Sequence, residues 1–241
     1  MIKTNFGSIV SHKFKNEYIC YDSSIQPILK ERIITSLESD EFRLSNTSNF
    51  LDLNNGLIKK HFHRKGAMYL LHDNYFYYGL GNTRPLNELK NYIDFSYIVT
   101  NSNNKKIINT IELCTPLFCY IKKNMLFYKG DIILSKISGD TLDKYLRNNN
   151  RCAIEQTLAL CFNFMFNNGI YNFDMNLTNI MINEDTEKIS FIDFDKMMIN
   201  KNSKNLKKYS LLVLKKFKDS INKYNLSEKF NWDYFYKIVN S

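Results

Sequence analysis

A carboxylate and a carboxamide five residues apart, Asp174 and Asn179, lie between a long apolar stretch and a short isoleucine-rich run. A second carboxylate, Asp193, follows the next such run in Phe191-Ile192-Asp193-Phe194-Asp195. These group types suit phosphoryl transfer. One carboxylate can orient an acceptor hydroxyl and take its proton, while an amide oxygen and a second carboxylate are hard ligands for a magnesium ion beside phosphates. Asp174 takes the first role in this reading, and Asn179 with Asp193 the second. Asp and Asn also hold turns by side-chain to backbone hydrogen bonds, the plainer role open to the same residues. Upstream, Leu57-Ile58-Lys59-Lys60 offers a cation for phosphate, and Glu88 a carboxylate to pair with it. Adjacent strand residues point to opposite faces, so only one of the two lysines can serve, and Lys60 is preferred over Lys59. Two solvated lysines on an edge strand are the plainer alternative.

The elements that must position these groups follow from periodicity and turn residues. Between Asn150 and Gly169, Ile154, Leu158, Cys161, Phe162 and Met165 recur at helical spacing, and Gly169 is placed to end a core helix. Ile180 to Ile182 and Ile189 to Ile192 then read as two strands about the charged turn Glu184-Asp185-Thr186-Glu187. Asp174 and Asn179 precede the first strand and Asp193 follows the second.

In the N-terminal half, strands are expected at Leu57 to Phe62 and Ala67 to Leu71, with a polar turn from His63 to Gly66, and the aromatic run Tyr75 to Tyr78 is broken off by Gly79, Gly81 and Asn82. Thr83-Arg84-Pro85 opens a helix carrying Leu86, Glu88, Leu89, Ile93 and Tyr97. Further strands are expected at Ile107 to Leu113, Met125 to Tyr128 and Asp131 to Ile137, and a short helix with Leu142, Tyr145 and Leu146. Before residue 53 the single β-like run is Tyr18 to Tyr21.

With 241 residues, 44% of them hydrophobic, the chain can bury one large core or two small lobes. No apolar stretch approaches bilayer length and the first fifteen residues lack a signal-like apolar block, so a cytoplasmic location is expected. Five cysteines without a CxxC pair suit reduced, buried thiols. The net charge of +9 is concentrated: Lys201 to Ser241 holds ten lysines and three acidic residues, which calls for an anionic partner. Nucleic acid is not that partner, because Phe and Tyr fall within apolar runs instead of alternating with Lys.

The order of Asp174, Asn179, strand, turn, strand and Asp193-Phe194 resembles the catalytic and metal-binding loops of protein-kinase-like enzymes. The segment His61-Phe62-His63-Arg64-Lys65-Gly66, with Tyr75, Gly79, Thr83-Arg84 and Glu88, looks like the bacterial 3-deoxy-D-manno-octulosonic acid (Kdo) kinases of the lipopolysaccharide kinase family. That likeness continues through Leu134 to Leu142, the hairpin and Asn205-Leu206-Lys207-Lys208. It implies an α+β, protein-kinase-like, two-lobed fold, divided into a small mainly β lobe (1–134) and a larger mainly helical lobe (135–241).

The resemblance also implies ATP and Mg2+ as cofactors, Asp174 as the catalytic acid-base residue, Lys60 in the nucleotide-binding strand, and Asn179 and Asp193 on the metal. The implied activity is phosphorylation of a Kdo hydroxyl on a Kdo-lipid A glycolipid, by a protein peripheral to the cytoplasmic side of the inner membrane. The basic C-terminal segment would attract that anionic surface. Three features depart from the family pattern: Asn172 replaces the usual His two residues before the catalytic Asp, Lys65-Gly66 replaces paired glycines, and Ser45 to Asn55 holds no glycine-rich loop. Alternatives kept open are a core heptose, a small aminoalcohol or a protein as acceptor, and an inactive pseudokinase acting as a binding module.

Overall fold

The computed structural model describes residues 2–25, 50–52 (backbone alone), 56–63, 74–149, 154–202 and 204–240. The expected strand Ala67 to Leu71, the turn residues Arg64 to Gly66 and most of Ser45 to Asn55 lie outside the described residues. The chain divides into two compact units, Met1–Asp94 with Thr115–Lys136, and Phe95–Cys114 with Ile137–Ser241.

The first unit is built on an antiparallel sheet. Its strands are β1 (Ile2–Lys3), β2 (Ser8–Phe14), β3 (Glu17–Asp22), β4 (Phe50–Asp52), β5 (Leu57–His61), β6 (Tyr75–Phe76), β7 (Pro116–Asn124) and β8 (Phe127–Ser135). They pair in the order β1-β2-β3-β7-β8-β5-β4, with β6 on β8. The expected strands at Met125 to Tyr128 and Asp131 to Ile137 are one continuous strand, and Met125-Leu126 is the turn before it. Tyr21, Phe118 and Ile133 form a buried cluster beneath Val10 and Leu57.

Helix α1 (Arg84–Thr100) contributes Leu86, Leu89, Tyr92 and Ile93 to the core of this unit, the spacing of one helical stripe. Its first turn can approach β8 because residue 130 is glycine: a Cβ there would meet Pro85 Cγ at 2.6 Å and the Tyr120 carbonyl at 2.9 Å. Thr83 does not cap the helix through its side chain. Its hydroxyl donates to the Leu80 carbonyl at 2.8 Å, closing the preceding one-turn 3-10 helix (Leu80–Asn82).

The second unit is mainly helical. Where a strand was expected at Ile107 to Leu113, the chain forms α2 (Lys105–Thr110). Asn104 decides this locally, its Oδ1 accepting from the Lys106 and Ile107 amides at 3.1 and 3.3 Å. Residues 95–114 pack with this unit: Phe95 meets Phe194 edge-on at 4.9 Å between ring centres, and the Glu112 amide donates to the Ile189 carbonyl at 2.9 Å.

The remaining elements are β9 (Asp140–Thr141), α3 (Leu142–Asn148), α4 (Ile154–Asn167), β10 (Ile170–Asn172), β11 (Ile180–Asn183), β12 (Lys188–Phe191), β13 (Met197–Ile199), α5 (Leu206–Lys223) and α6 (Trp232–Val239). Two small sheets result, β12-β11-β9 and β10-β13. The apolar stripe expected of α4 is realised, with Leu158, Cys161, Phe162 and Met165 buried. Phe162 stacks among Phe217 of α5 and Phe235 of α6, so these three helices share one aromatic core. Gly139 is required before β9: its φ is +110°, and a Cβ would lie 2.2 Å from the Ile182 carbonyl oxygen.

Candidate active site

Strand β10 ends at Asn172, and the chain leaves the α4–β10 segment for a partly buried loop that must return to β11. Asn172 is buried and makes that loop's two anchoring bonds. Its Oδ1 accepts from the Asp174 amide at 3.0 Å, and its Nδ2 donates to the Asp193 carbonyl at 3.1 Å. Asn179, in the one-turn 3-10 helix Leu177–Asn179, donates from Nδ2 to the Asp174 carbonyl at 3.0 Å. The Asn179 carbonyl accepts from the Ile192 amide at 3.0 Å, next to Asp193. The bonds thus close a ring that holds Asp174, Asn179 and Asp193 in one place, with Asn172 as the bridge.

The same loop is fixed from below. Met175 and Leu177 are buried, and the Leu177 amide donates to the Ser220 hydroxyl of α5 at 3.0 Å. Asn176 folds back on its own turn, accepting from the Thr178 amide at 2.9 Å and donating to the Asp174 carbonyl at 2.9 Å. With the Asn179 Nδ2 spent on that carbonyl, its Oδ1 is the ligand-type atom of the side chain. Asp193 has a φ of +62°, a left-handed conformation that non-glycine residues adopt at a cost and that concentrates at functional sites.

The Asp174 carboxylate lies between two cations. Lys196 Nζ is 3.5 Å from Oδ2, and Lys216 Nζ of α5 is 3.4 Å from Oδ1. Both lysines are half exposed, so the pairs add little stability by themselves. Their consequence is local: two positive charges face the position where an acceptor hydroxyl would approach Asp174.

In the first unit the structure brings Lys60 and Glu88 together. Lys60 Nζ donates to both Glu88 carboxylate oxygens, at 2.8 and 2.7 Å, and Glu88 is fully buried. Lys60 also lies over the Phe62 ring, 5.1 Å from its centre. Lys59, on the opposite face of β5, pairs with Asp131 at 3.5 Å, and His61 Nδ1 lies 2.5 Å from the other Asp131 oxygen. Neither lysine is solvated, and the alternation of β5 gives each its own buried carboxylate.

Sequence reasoning expects Asn172 to orient the loop through hydrogen bonds, but it missed the link to Asp193, as well as the places of Lys196, Lys216, Ser220 and Asp131. A signal existed for Lys196, a cation three residues after Asp193 in Asp193-Phe194-Asp195-Lys196. Lys216 and Ser220 carried none, since their place depends on how α5 packs. Asn179 and Asp193 supply an amide oxygen and a carboxylate, the hard oxygen donors magnesium takes when phosphates and water complete its shell. Among the described residues no group of three or more His, Cys, Asp or Glu could hold a metal.

An antiparallel sheet carrying a buried Lys–Glu pair, and a helical unit in which hydrogen bonds tie Asp174, Asn179 and Asp193 together, hold the group types that phosphoryl transfer calls for. The chain matches the lipopolysaccharide kinase (Kdo/WaaP) family over residues 30–237, and it belongs to that family. That family is one of lipopolysaccharide kinases. No curated protein matches the sequence. Among solved structures it is similar to the PK-1 kinase of Cydia pomonella granulovirus, at 15% identity and a TM-score of 0.37, over 70% of this chain and 57% of that one. The chain therefore spans little more than half the length of that viral kinase.

Proposed function

We propose that the protein transfers a phosphoryl group from ATP to a Kdo hydroxyl of a Kdo-lipid A glycolipid. The observation that carries this reading is the hydrogen-bonded ring that holds Asp174, Asn179 and Asp193 together. Asp174 orients the acceptor hydroxyl and takes its proton. Asn179 Oδ1 and the Asp193 carboxylate hold magnesium, and Lys60, fixed by Glu88, binds nucleotide phosphate. When bound, ATP with its magnesium ion supplies the transferred group and offsets its charge.

Lys196 and Lys216 support an anionic acceptor. A sugar acid brings a carboxylate to these two cations, whereas an aminoalcohol would bring a like charge. The basic C-terminal segment supports an anionic membrane surface as partner, at the cytoplasmic side of the inner membrane. On α5, Lys207, Lys208 and Lys215 are exposed beside exposed Leu211 and Leu212. Among the described residues no helix is long and apolar enough to cross a membrane.

The test is mass spectrometry of acceptors after incubation with ATP and magnesium. The panel holds Kdo-lipid A with and without heptose, a free aminoalcohol and a protein acceptor. Gain of one phosphate on the unheptosylated Kdo glycolipid is expected. Transfer to another member of the panel changes the acceptor, and no transfer to any despite nucleotide binding replaces the reading with that of a pseudokinase.

A further inference from the structure

Two hairpin ends of the first unit lie side by side. Lys15-Asn16 turns β2 into β3, and Met125-Leu126 turns β7 into β8; because β3 pairs with β7, the two turns are neighbours. Asn16 fastens them, its Nδ2 donating to the Lys123 carbonyl and its own carbonyl accepting from the Lys123 amide, both at 2.8 Å. The Tyr77 amide donates to the Leu126 carbonyl at 2.8 Å, which brings Phe76 and Tyr78 to the same end.

Large apolar side chains cover this end. Met125 is 86% exposed, Tyr78 77%, Leu126 71% and Phe14 63%, and Phe76, also exposed, packs on Phe127 at 5.0 Å between ring centres. Single exposed apolar residues are ordinary, but five on three hydrogen-bonded segments make a patch. Turn geometry does not account for them. Met125 and Lys15 have φ of 50° and 53°, positions where glycine or asparagine would be less strained.

The patch is ringed by positive charge. Lys13, Lys15, Lys122, Lys123 and Lys129 lie on these segments, against one carboxylate, Glu17, which is paired with Lys122 at 3.1 Å. We propose that the paired hairpin end docks on an anionic lipid bilayer, with Phe14, Met125 and Leu126 in the headgroup layer and the lysines on the lipid phosphates. Apolar chains below a collar of lysines match that boundary. A second copy of the chain fits poorly, because it would bring two lysine rings together. Nucleic acid could stack bases on Phe14, Phe76 and Tyr78 but would leave Met125 and Leu126 without an apolar partner, which a bilayer supplies. Residues 2–22, which supply half of this end, precede the range matched by the family, and the proposal does not depend on the identity of the acceptor.

The test is co-sedimentation of the full chain with vesicles of phosphatidylethanolamine and phosphatidylglycerol, and with vesicles of phosphatidylcholine alone. The triple variant Phe14→Ser, Met125→Ser, Leu126→Ser should keep its melting temperature and bind the anionic vesicles at least tenfold more weakly. Lys13→Gln with Lys15→Gln and Lys123→Gln should remove the preference for phosphatidylglycerol. Binding unchanged in both variants overturns the proposal, as does binding lost only in Leu211→Ser, Leu212→Ser on α5. The proposal also fails if wild-type chain self-associates without lipid and the triple variant does not, or if a single-stranded oligonucleotide binds more tightly than the vesicles.

Discussion

Replacing Asn172 by alanine removes both bonds that tie Asp174 to Asp193. The Asp174 amide and the Asp193 carbonyl each lose a partner in a partly buried setting. An unsatisfied group costs about 1–3 kcal/mol, and the partial exposure of these two favours the lower half of that range, so about 2–4 kcal/mol is expected for the pair. For a chain of this size each kcal/mol lowers the melting temperature by about 2–4 °C, which gives a fall of about 4–16 °C. Loosening the ring should also lower kcat by about 10–100-fold, since small misplacements of reacting groups are expensive. Asn172→Asp separates the two bonds. It keeps the acceptor for the Asp174 amide but sets an oxygen against the Asp193 carbonyl, so it too should melt below wild type. Thermal unfolding followed by circular dichroism, with steady-state phosphorylation in parallel, measures both effects. If both variants melt and turn over as wild type does, Asn172 is not the bridge and the reasoning fails.

Further outcomes follow from the same geometry. Lys60→Ala takes the ammonium away from the fully buried Glu88 carboxylate and should cost about 3–5 kcal/mol in chemical denaturation, whereas Lys60→Ala with Glu88→Leu should recover much of it. Gly139→Ala forces a Cβ into the Ile182 carbonyl and should cost more than about 2 kcal/mol; a wild-type melting curve would count against the φ of +110°. Burial pushes the Cys161 thiol from 9.0 up to about 12, so the folded chain holds a proton that the unfolded chain releases. Its contribution is complete below pH 9 and is lost as pH rises towards 12, and Cys161→Ala should flatten that part of the stability profile.

Much of the catalytic half was legible because its order lies in a short stretch of sequence. The α4 stripe, the β11–β12 hairpin and the positions of Asp174, Asn179 and Asp193 all sit between residues 150 and 195, where local pattern and local structure coincide. Strand alternation allowed only one of Lys59 and Lys60 to serve and could not choose between them, and the structure pairs Lys60 of β5 with Glu88 of α1. Elsewhere, non-local pairing decided the outcome. Strand β2, Ser8–Phe14, mixes polar and apolar residues without a clean period and is held by its register with β3. The stretch Ile107 to Leu113 looked β-like from its isoleucines, but the Asn104 cap turned its start into α2. Lys216 and Ser220 reach the Asp174 loop because α5 buries Val213, Leu214 and Phe217, a packing no local motif announces.

The central claim is that Asp174 takes the proton of the acceptor hydroxyl. Asp174→Asn keeps the size of the side chain and the backbone carbonyl that Asn176 and Asn179 bind, but removes the base. With ATP, magnesium and Kdo-lipid A, turnover is expected to fall by about 10²–10⁴-fold while nucleotide affinity stays within about twofold. Turnover equal to wild type in that variant would contradict the account.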